Sequence, residues 1–409
     1  MERKKKKFPL HWQILVSLIL AVLAGSFLPP LFVAEYVSWM GDIFLRLLKM
    51  LIIPLVFFSI ISGISTVGSA GSLGRLGGKT ILYYLTTSLF AILTGLILVN
   101  LIQPGVNAGI VIPEKLPELD ATAGSLGETL MQMIPTNIVE AMASGNMLSV
   151  IFFAIILGFF ITQLNEPHKT KLSSTFDALF ELMMKVTHFV ILLTPIGVFG
   201  IVAGVVSEQH DLLAVGETMG KYMLTVIAGL FFHAFVLLPL MVILFGRAKP
   251  YAHLKNMSAV LLTAFSTSSS GATLPLTMNA VETRSGVSKK ICSFTLPLGA
   301  TVNMDGTALY ECVAALFIAQ AYGIELGFAA QFTVVVTALL ASIGAAGIPM
   351  AGLVMISIVL SAVGLPLEGV GLILAVDRIL DMFRTAVNVW SDSCGAVIIA
   401  KTEGEELAV

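Results

Sequence analysis

The chain has 409 residues, of which 57% are hydrophobic and 12% charged, with a formal net charge of −2. Such an apolar fraction exceeds what a soluble domain needs for its core, so it argues against a soluble globular protein and indicates that lipid covers most of the surface. Since no basic stripe persists beyond the N-terminus, nucleic acid is also excluded as a partner.

A basic cluster, Arg3 to Lys7, stands directly before the first apolar run. No small-residue cleavage pattern leading into a polar mature domain follows it, so a signal peptide does not account for the cluster. Under the positive-inside rule we expect the cluster to hold the N-terminus on the cytoplasmic side of the plasma (cell inner) membrane.

Six apolar segments within residues 8–250 are each predicted to cross the bilayer once, because each can supply the roughly 20 helical residues that a crossing needs. They are 11–34, 40–67, 79–112, 129–163, 175–206 and 212–246. The stretches Gly68 to Gly78 and Glu114 to Glu128 lack sustained apolar periodicity and are predicted to be loops. Arg46 and Lys49 interrupt the second segment, where we expect their long side chains to reach an interface.

The chain changes character after residue 250, because hydroxyl, glycine and carboxylate residues enter runs that are otherwise apolar. Polar groups inside a membrane are costly unless they have partners or a function. The charge-free run Ser258 to Val281 is interrupted by Ser266 to Ala272 and by Pro275. Two short apolar arms around a polar tip predict a first re-entrant hairpin.

A second interrupted stretch, Leu326 to Leu367, is charge-free and broken by Gly344 to Pro349 and then by Gly352. A hairpin and two full crossings both fit its length. The glycine-rich centre favours a hairpin, and irregular backbone at membrane depth is tolerated only where it is buried in protein or lines a cavity. Paired interrupted segments of this kind point to the binding site of a transporter.

Between the hairpins, an apolar helix over Lys290 to Tyr322 is predicted to break at Asn303 to Thr307. Unwound backbone there would expose carbonyl groups, which together with Asn303 and Asp305 supply the oxygen ligands that a desolvated alkali cation requires. The alternative is a structural kink capped by Asn303. The cost of a carboxylate inside the membrane favours the cation site.

The last apolar helix carries a stripe of polar residues at positions i, i+4, i+7, i+11 and i+15: Asp377, Asp381, Arg384, Asn388 and Asp392. This spacing places them on one helix face, with Thr385 on its flank. A self-satisfied ion-pair network is one interpretation. A binding role is preferred, because a helix in lipid gains nothing from carboxylates that it could have avoided.

The groups on this stripe complement an L-amino acid with an acidic side chain, which presents one ammonium and two carboxylates. Arg384 can hold a carboxylate in a two-pronged pair, and Asp381, one turn away, can accept the ammonium. Asn388 and Thr307 can add neutral hydrogen bonds. Backbone amides at the hairpin tips can receive the remaining carboxylate, as helix N-termini do for anions.

The segments that carry these motifs resemble the dicarboxylate/amino acid:cation symporter family, the sodium- and proton-coupled glutamate and aspartate transporters that include the excitatory amino acid transporters. They are Thr263 to Pro275, Leu296 to Glu311, Ala341 to Gly352 and Asp377 to Asp392, with further similarity over Phe44 to Pro54 and Tyr84 to Ser88. The resemblance implies an all-α membrane protein of the elevator type, with eight transmembrane helices and two re-entrant hairpins, assembled as a homotrimer. Residues 8–250 would form six helices, comprising the scaffold and part of the transport domain. Residues 251–402 would form the transport core with hairpin 1, broken helix 7, hairpin 2 and helix 8.

Carried over by position, the resemblance assigns roles to individual residues. For the substrate these are Arg384 (side-chain carboxylate), Asp381 (amine), Asn388 and the Ser270 backbone (α-carboxylate), Thr307, Thr385, Ile348 and Gly352. Sodium, the coupling ion, would bind one site made of Asp392, Asn303, Gly299 and Asn388, and a second made of Tyr84, Thr87, Ser88, Asn303 and Asp305. A third would use Thr301, Met304 and second-hairpin carbonyls near Ser342, Ile343 and Ala345.

Asn303, Thr307 and Glu311 follow one another at intervals of four residues, which places Glu311 on the same face of the broken helix. A low dielectric favours the neutral form of a buried carboxyl group. The position resembles one where vertebrate-type members of the family carry a protonatable glutamate and sodium-only archaeal-type members carry glutamine. We therefore predict that Glu311 carries a co-transported proton, being neutral when substrate is bound and paired with Arg384 when it is not.

The chain also departs from the family pattern. Family members usually carry a second arginine in the first hairpin's serine run or just after the amine-binding aspartate, where this chain has Ser268 and Met382. Arg378, one turn before Met382, can stand in for it. Trp390 is bulky at a position that the family often fills with a smaller side chain.

Four alternatives stay open. The pair Asp377-Arg378 is similar to the C4-dicarboxylate branch of the family, although Asp381 replaces that branch's serine. A neutral amino acid would leave the Arg384 guanidinium unpaired, which is costly. The same polar faces could line the pore of a channel. An intramembrane serine hydrolase using Ser268 to Ser270 has weak support, because His253 lies at the edge of the segment.

Cys292, Cys312 and Cys394 all lie inside apolar segments, without the spacing of a disulfide framework or a zinc site. We expect them to be buried free thiols.

Overall fold

The computed structural model describes residues 10–68, 74–106, 108, 131, 133–209, 212–343 and 351–409. Every regular element within these ranges is helical. The first helices are α1 (Leu10–Phe27), α2 (Pro30–Tyr36), α3 (Ser38–Gly68), α4 (Gly74–Ile102), α5 (Ile138–Ser144), α6 (Met147–Gln163), α7 (His168–Leu192), α8 (Thr194–Glu208) and α9 (Leu212–Phe232). A π-helical turn (His233–Leu237) joins α9 to α10 (Leu238–Leu244).

The C-terminal part of the chain continues with seven helices. They are α11 (Pro250–Thr267), α12 (Ser270–Ser285), α13 (Lys289–Val302), α14 (Asp305–Ala321), α15 (Phe328–Ile343), α16 (Ala351–Ala362) and α17 (Val370–Thr402). A short 3-10 turn, Leu367–Gly369, leads directly into α17.

Within the described ranges, four helical stretches are long and apolar enough to cross a membrane: Ser38–Ser65, Arg75–Ile102, Leu213–Leu244 and Lys289–Ala321. The helices α7 and α8 pass the same test together but meet at an angle of 52°. The regular structure of the described ranges is thus all helical, and the chain is a multi-pass membrane protein, as its apolar segments predicted.

Several predicted boundaries differ from the observed ones. Segment 11–34 is interrupted after Phe27, and the helix restarts at Pro30, because proline lacks the N–H that continues a helix but suits the first position of a new one. Segment 129–163 is divided at Gly145, whose φ of 77° ends α5. The helix predicted to begin at residue 79 begins at Gly74.

The helices α11 and α12 pack against each other and form the hairpin expected around the serine run. Ser268 ends α11 in a left-handed conformation with a φ of 50°. The hydroxyl of Ser269 then accepts a hydrogen bond from the amide of Ala272 at 3.2 Å and so begins α12. Because two residues join the helices, the chain reverses here, and the first amides of α12 lie at the tip.

The predicted break between the hairpins is confirmed. The first half, α13, ends at Val302, and α14 begins at Asp305, so Asn303 and Met304 are non-helical. The arms of the second hairpin, α15 and α16, contact each other. Its predicted tip, with Ala345 and Ile348, lies outside the described residues.

The functional groups meet inside the C-terminal helices. The helix α14 is buried along almost its whole length by α4, α9, α15, α16 and α17. The hairpin α11–α12 and the half-helix α13 pack against α17. By contrast, α1, α3, α6, α7 and α8 pack mainly among themselves. The broken helix and the polar stripe of α17 therefore face each other where water is excluded.

The residues after α17 fold back over one end of the bundle. Glu403 pairs with Arg75 and with Lys79 near the start of α4, each at 2.6 Å. Farther along, Glu405 accepts a hydrogen bond from the amide of Ser288 at 2.9 Å. The segment thereby ties α4 and the end of α17 to the turn between α12 and α13.

Replacing Glu403 with glutamine is expected to lower the unfolding temperature of the purified protein by about 1–2 °C, because exposed ion pairs contribute at most about 1 kcal/mol each. Hydrogen bonds from Lys79 and Arg75 hold the pKa of Glu403 below its ordinary value. The stabilisation is therefore present above the ordinary carboxyl pKa of about 4.3 and is lost as the pH falls below it. Thermal melts at neutral and acidic pH should show the difference shrinking below about pH 4.

Glu406→Gln is the matched control, because Glu406 is exposed on the same segment. It should leave the unfolding temperature unchanged at every pH. A Glu403→Gln difference that persists undiminished in acid would contradict the ion-pair explanation.

Candidate binding site

The polar stripe predicted on the last helix lies entirely inside the protein. On α17, Asp377 is fully buried, and Asp381, Arg384, Asn388 and Asp392 are each at most 6% exposed. Nη2 of Arg384 lies 3.0 Å from Oδ1 of Asp381 and 3.1 Å from Oδ1 of Asp377. One guanidinium nitrogen thus joins two carboxylates of the same helix.

The rest of the Arg384 guanidinium packs against an aromatic ring, and two of its nitrogens make no hydrogen bond with the described residues. Its central carbon lies 3.8 Å from the centre of the Tyr310 ring, which supports the cation from one side. Among the described residues, Nε and Nη1 of Arg384 have no hydrogen-bond partner, although the side chain is 1% exposed. Buried donors are normally satisfied, so the N–H groups of these two nitrogens suit a carboxylate from outside the protein.

The second hairpin reaches Arg384 through Gly352. A Cβ atom on Gly352 would stand 2.6 Å from Nη1 of Arg384, closer than real contacts allow. Glycine is therefore needed for α16 to approach the guanidinium this closely. The structure brings these two predicted substrate residues together.

Arg378 also contacts the predicted amine site. Its Nη1 lies 3.3 Å from Oδ2 of Asp381, and its side chain is 22% exposed. The two oxygens of Asp381 thus face two different arginines. Arg378, which the sequence offered as a substitute for the second arginine, thus lies against Asp381 at the more exposed side of the stripe.

The broken helix meets α17 through Asn388. Its amide group donates to the Thr307 hydroxyl at 3.2 Å and accepts from the Gly306 backbone amide at 2.8 Å. Thr385, on the flank of the stripe, is 5% exposed. Ser270, at the first position of α12, is also buried. The substrate residues predicted within the described ranges thus come from α12, α14, α16 and α17.

A first cluster of oxygen atoms surrounds Asp392. Nδ2 of Asn303 donates to Oδ1 of Asp392 at 2.9 Å, while the Thr87 hydroxyl lies 3.3 Å from Oδ1 of Asn303. A Cβ atom on Gly299 would stand 2.5 Å from Oδ1 of Asp392 and 2.7 Å from the hydroxyl of Tyr84. The predicted ligands of the first and second sodium sites are thus close together and share Asn303.

A second cluster surrounds Asp305, which is fully buried. Its Oδ1 accepts from the Ser88 hydroxyl at 2.7 Å, and its Oδ2 from the Ser391 hydroxyl at 2.6 Å. His233 also lies against this carboxylate, with Nε2 3.0 Å from Oδ2. Carboxylate, amide and hydroxyl oxygens are the ligands that hard cations prefer, so both clusters fit sodium.

The third predicted sodium site is described only in part. Met304 is buried, whereas Thr301 is exposed and its hydroxyl donates to the Leu298 carbonyl at 3.0 Å. The Ser342 hydroxyl likewise donates to its own helix, to the carbonyl of Leu339 at 2.8 Å. Ala345 and the side chain of Ile343 are outside what the structure describes, so this site stays a prediction.

Glu311 lies one turn beyond Thr307 on α14 and is fully buried. Neither of its carboxyl oxygens has a hydrogen-bond partner within the described ranges. A carboxylate left this way would be very costly, whereas a protonated carboxyl group is tolerated more easily. Glu311 is therefore a buried carboxyl group with no described hydrogen-bond donor to stabilise its ionised form.

Three residues near the site were not predicted from the sequence: Tyr310, His233 and Ser391. Tyr310 resembles an ordinary apolar position, and Ser391 lies beside the stripe. His233 carried the usable signal, because an ionisable residue inside an apolar run is a functional candidate by default.

Trp390 has a structural explanation. Its indole N–H donates to the carbonyl of Ala234 in the π-helical turn at 2.9 Å, and the ring is 2% exposed. The ring of His253 stacks on it, with centroids 5.2 Å apart. The large side chain therefore joins α17 to the π-helical turn and to the first hairpin.

The structure gives no support to a hydrolase or a zinc site. His253 bonds to Ser285 at 2.8 Å, at the far end of the hairpin from the serine run. The three cysteines are buried and free, as expected. Within the described part of the chain, no group of three or more His, Cys, Asp or Glu residues is arranged to hold a metal ion.

Comparisons with known proteins agree on one family. Residues 10–402 match the family model described as the sodium:dicarboxylate symporter family. The chain is 36% identical to excitatory amino acid transporter 3 of Mus musculus, covering 97% of this chain and 86% of the relative. It is 37% identical to the proton/sodium-glutamate symport protein of Bacillus caldotenax, over 98% of this chain and 96% of the relative. It is also 37% identical to the proton/glutamate-aspartate symporter of Escherichia coli (strain K12), over 98% of this chain and 94% of the relative.

Proposed function

Because the chain belongs to the sodium:dicarboxylate symporter family, we propose that it takes up L-glutamate, L-aspartate or both, together with Na+ and H+. Similar proteins named as glutamate or glutamate-aspartate symporters support this substrate class. The family consists of symporters, so the chain is a transporter rather than an enzyme. Transport would be secondary active, with the ion gradients supplying the energy.

The observation that carries the proposal is the paired Arg384 and Asp381, 3.0 Å apart, in a buried site. The Nε and Nη1 nitrogens of Arg384, which have no partner among the described residues, suit the side-chain carboxylate of the substrate. Asp381 suits its ammonium group, which would replace part of the contact with the arginines. Asn388 and the first amides of α12 at Ser270 remain for the α-carboxylate, and Thr307 and Thr385 complete the site.

Charge balance explains why the substrate needs cations. Asp377 and Asp381 balance Arg378 and Arg384, but the buried Asp305 and Asp392 are two further carboxylates, and an acidic amino acid would add one more net negative charge to them. An uncompensated buried charge is expensive. Sodium ions in the clusters around Asp392 and Asp305, and a proton on Glu311, would supply the compensation.

The family also supports a proposed architecture. Eight helices would cross the membrane, and the hairpins α11–α12 and α15–α16 would be re-entrant. Three copies would assemble through a scaffold within residues 8–250, while the core within 251–402 moves as an elevator. The packing of α1, α3, α6, α7 and α8 among themselves is consistent with a separate scaffold. The N-terminus would lie on the cytoplasmic side of the plasma membrane.

Uptake of labelled aspartate by the purified protein in liposomes tests the function. Sodium, proton and potassium gradients are imposed one at a time, and unlabelled glutamate, succinate and serine are added as competitors. We expect uptake to require an inward sodium gradient and to be unaffected by succinate and by serine, while the effect of glutamate shows whether both acidic amino acids are substrates. Blocking by succinate would indicate a C4-dicarboxylate carrier, and blocking by serine a neutral amino acid carrier. Anion current without substrate would reveal a pore.

A further inference from the structure

His233 is a buried histidine that no predicted role uses. It is fully buried at the first position of the π-helical turn between α9 and α10. Its Nε2 lies 3.0 Å from Oδ2 of Asp305, across 72 positions of sequence. An ionised carboxylate only accepts hydrogen bonds, so a neutral His233 must present its proton on Nε2.

The carboxylate of Asp305 is held from three sides. Ser88 of α4 donates to Oδ1, and Ser391 of α17 donates to Oδ2 beside His233. Ser391 in turn accepts from Nδ2 of Asn303 at 3.0 Å, which links the carboxylate to the residue shared by both cation clusters. With Oδ2 occupied by two donors, the orientation of Oδ1 toward α4 is fixed.

The π-helical turn is anchored by α17, the same helix whose Ser391 donates a hydrogen bond to Asp305. Trp390 donates to the carbonyl of Ala234, the residue next to His233, and Ser391 follows Trp390 on α17. Wide turns of this type often occur at functional sites, because they redirect one side chain within a helix. Neighbouring residues of α17 thus fix both the histidine's backbone and the carboxylate that the histidine contacts.

We propose that His233 is a positioning residue for sodium: by donating from Nε2 to Asp305, it orients this carboxylate as a ligand of the coupling ion. The inference rests on the proposed sodium coupling and adds to it a residue of the α9–α10 junction that touches no substrate. It follows that sodium affinity, rather than folding alone, depends on a hydrogen-bond donor at position 233.

The test measures sodium binding directly, without substrate. Trp12→Phe and Trp39→Phe remove two exposed tryptophans and leave Trp390 as the sole tryptophan fluorophore. Thermal unfolding of the purified protein is followed by its fluorescence while NaCl replaces choline chloride at constant ionic strength. Bound sodium raises the unfolding temperature by mass action, so the titration gives a midpoint sodium concentration.

Two substitutions separate positioning from packing. His233→Leu removes the donor and should raise the sodium midpoint about tenfold or more, the usual weight of a hydrogen bond to a charged group. His233→Gln keeps an N–H donor at a similar reach and should restore most of the affinity. The control is His253→Asn, which alters a buried histidine on the other side of Trp390 and should leave the midpoint unchanged.

The outcomes are distinguishable. If His233→Leu lowers the unfolding temperature but leaves the sodium midpoint in place, His233 is structural and the inference is overturned. The inference is also overturned if His233→Gln loses as much sodium affinity as His233→Leu. If the parent protein itself shows no sodium-dependent stabilisation, the proposed sodium coupling fails, and the inference fails with it.

Discussion

Arg384→Lys is expected to reduce the uptake of labelled aspartate, as kcat/KM, by about 100-fold or more. The ammonium of lysine preserves the charge that Asp377 and Asp381 require, so the ion pairs of α17 survive in some form. It does not reproduce the planar guanidinium, in which Nε and Nη1 have no hydrogen-bond partner among the described residues. Losing one buried charge-assisted contact typically costs about 3 kcal/mol, which corresponds to the stated factor.

Two further variants test this assignment. Arg384→Gln should abolish uptake and also destabilise the protein, because it leaves the buried carboxylate of Asp377 without a cation and Asp381 with the more exposed Arg378 alone. Arg378→Gln removes the more exposed arginine, which contacts Asp381 at 3.3 Å. It should lower kcat/KM about tenfold or less. Uptake in liposomes gives kcat/KM, and the unfolding temperature reports whether the protein is intact. Arg384→Lys uptake close to that of the parent would contradict the assignment of the substrate carboxylate to Arg384.

The sequence specified the parts of the site that depend on one helix at a time. The spacing of Asp377, Asp381 and Arg384 fixes their common face wherever α17 packs, so the stripe could be predicted without knowledge of any neighbour. The same holds for the breaks at Ser268 and Asn303, where polar residues interrupt apolar runs. Local periodicity and turn chemistry decide these features.

Features that depend on contacts between distant segments escaped prediction. His233 contacts Asp305 from a π-helical turn, and no residue of the run His233–Leu237 predicts such a turn. The link from Trp390 to Ala234 likewise depends on how α17 packs beside that turn. The 52° bend between α7 and α8 falls inside a run that resembles one apolar segment, because Pro195 is compatible with a kinked helix as well as with a break.

Glu311→Gln is expected to make net uptake of labelled aspartate insensitive to an imposed pH gradient. In the parent protein, uptake should rise when the outside is more acidic than the inside, because a proton enters with the substrate on Glu311. Glutamine resembles the protonated carboxyl group in shape and cannot release a proton. The carrier would then behave as though it were permanently protonated, and the step in which it returns empty would be blocked or slowed.

Exchange separates this mechanism from simple damage to the site. When labelled aspartate outside exchanges for unlabelled aspartate inside, the carrier crosses loaded in both directions and never has to release the proton. Exchange by Glu311→Gln should therefore remain largely intact while net uptake falls. Glu325→Gln is the matched control, because Glu325 is an exposed carboxylate shortly after the same helix. If Glu311→Gln kept a normal response to the pH gradient, the proton would have to travel on another group. We expect the substrate's charge to control the protonation of Glu311, because this carboxyl group is fully buried and has no hydrogen-bond partner among the described residues.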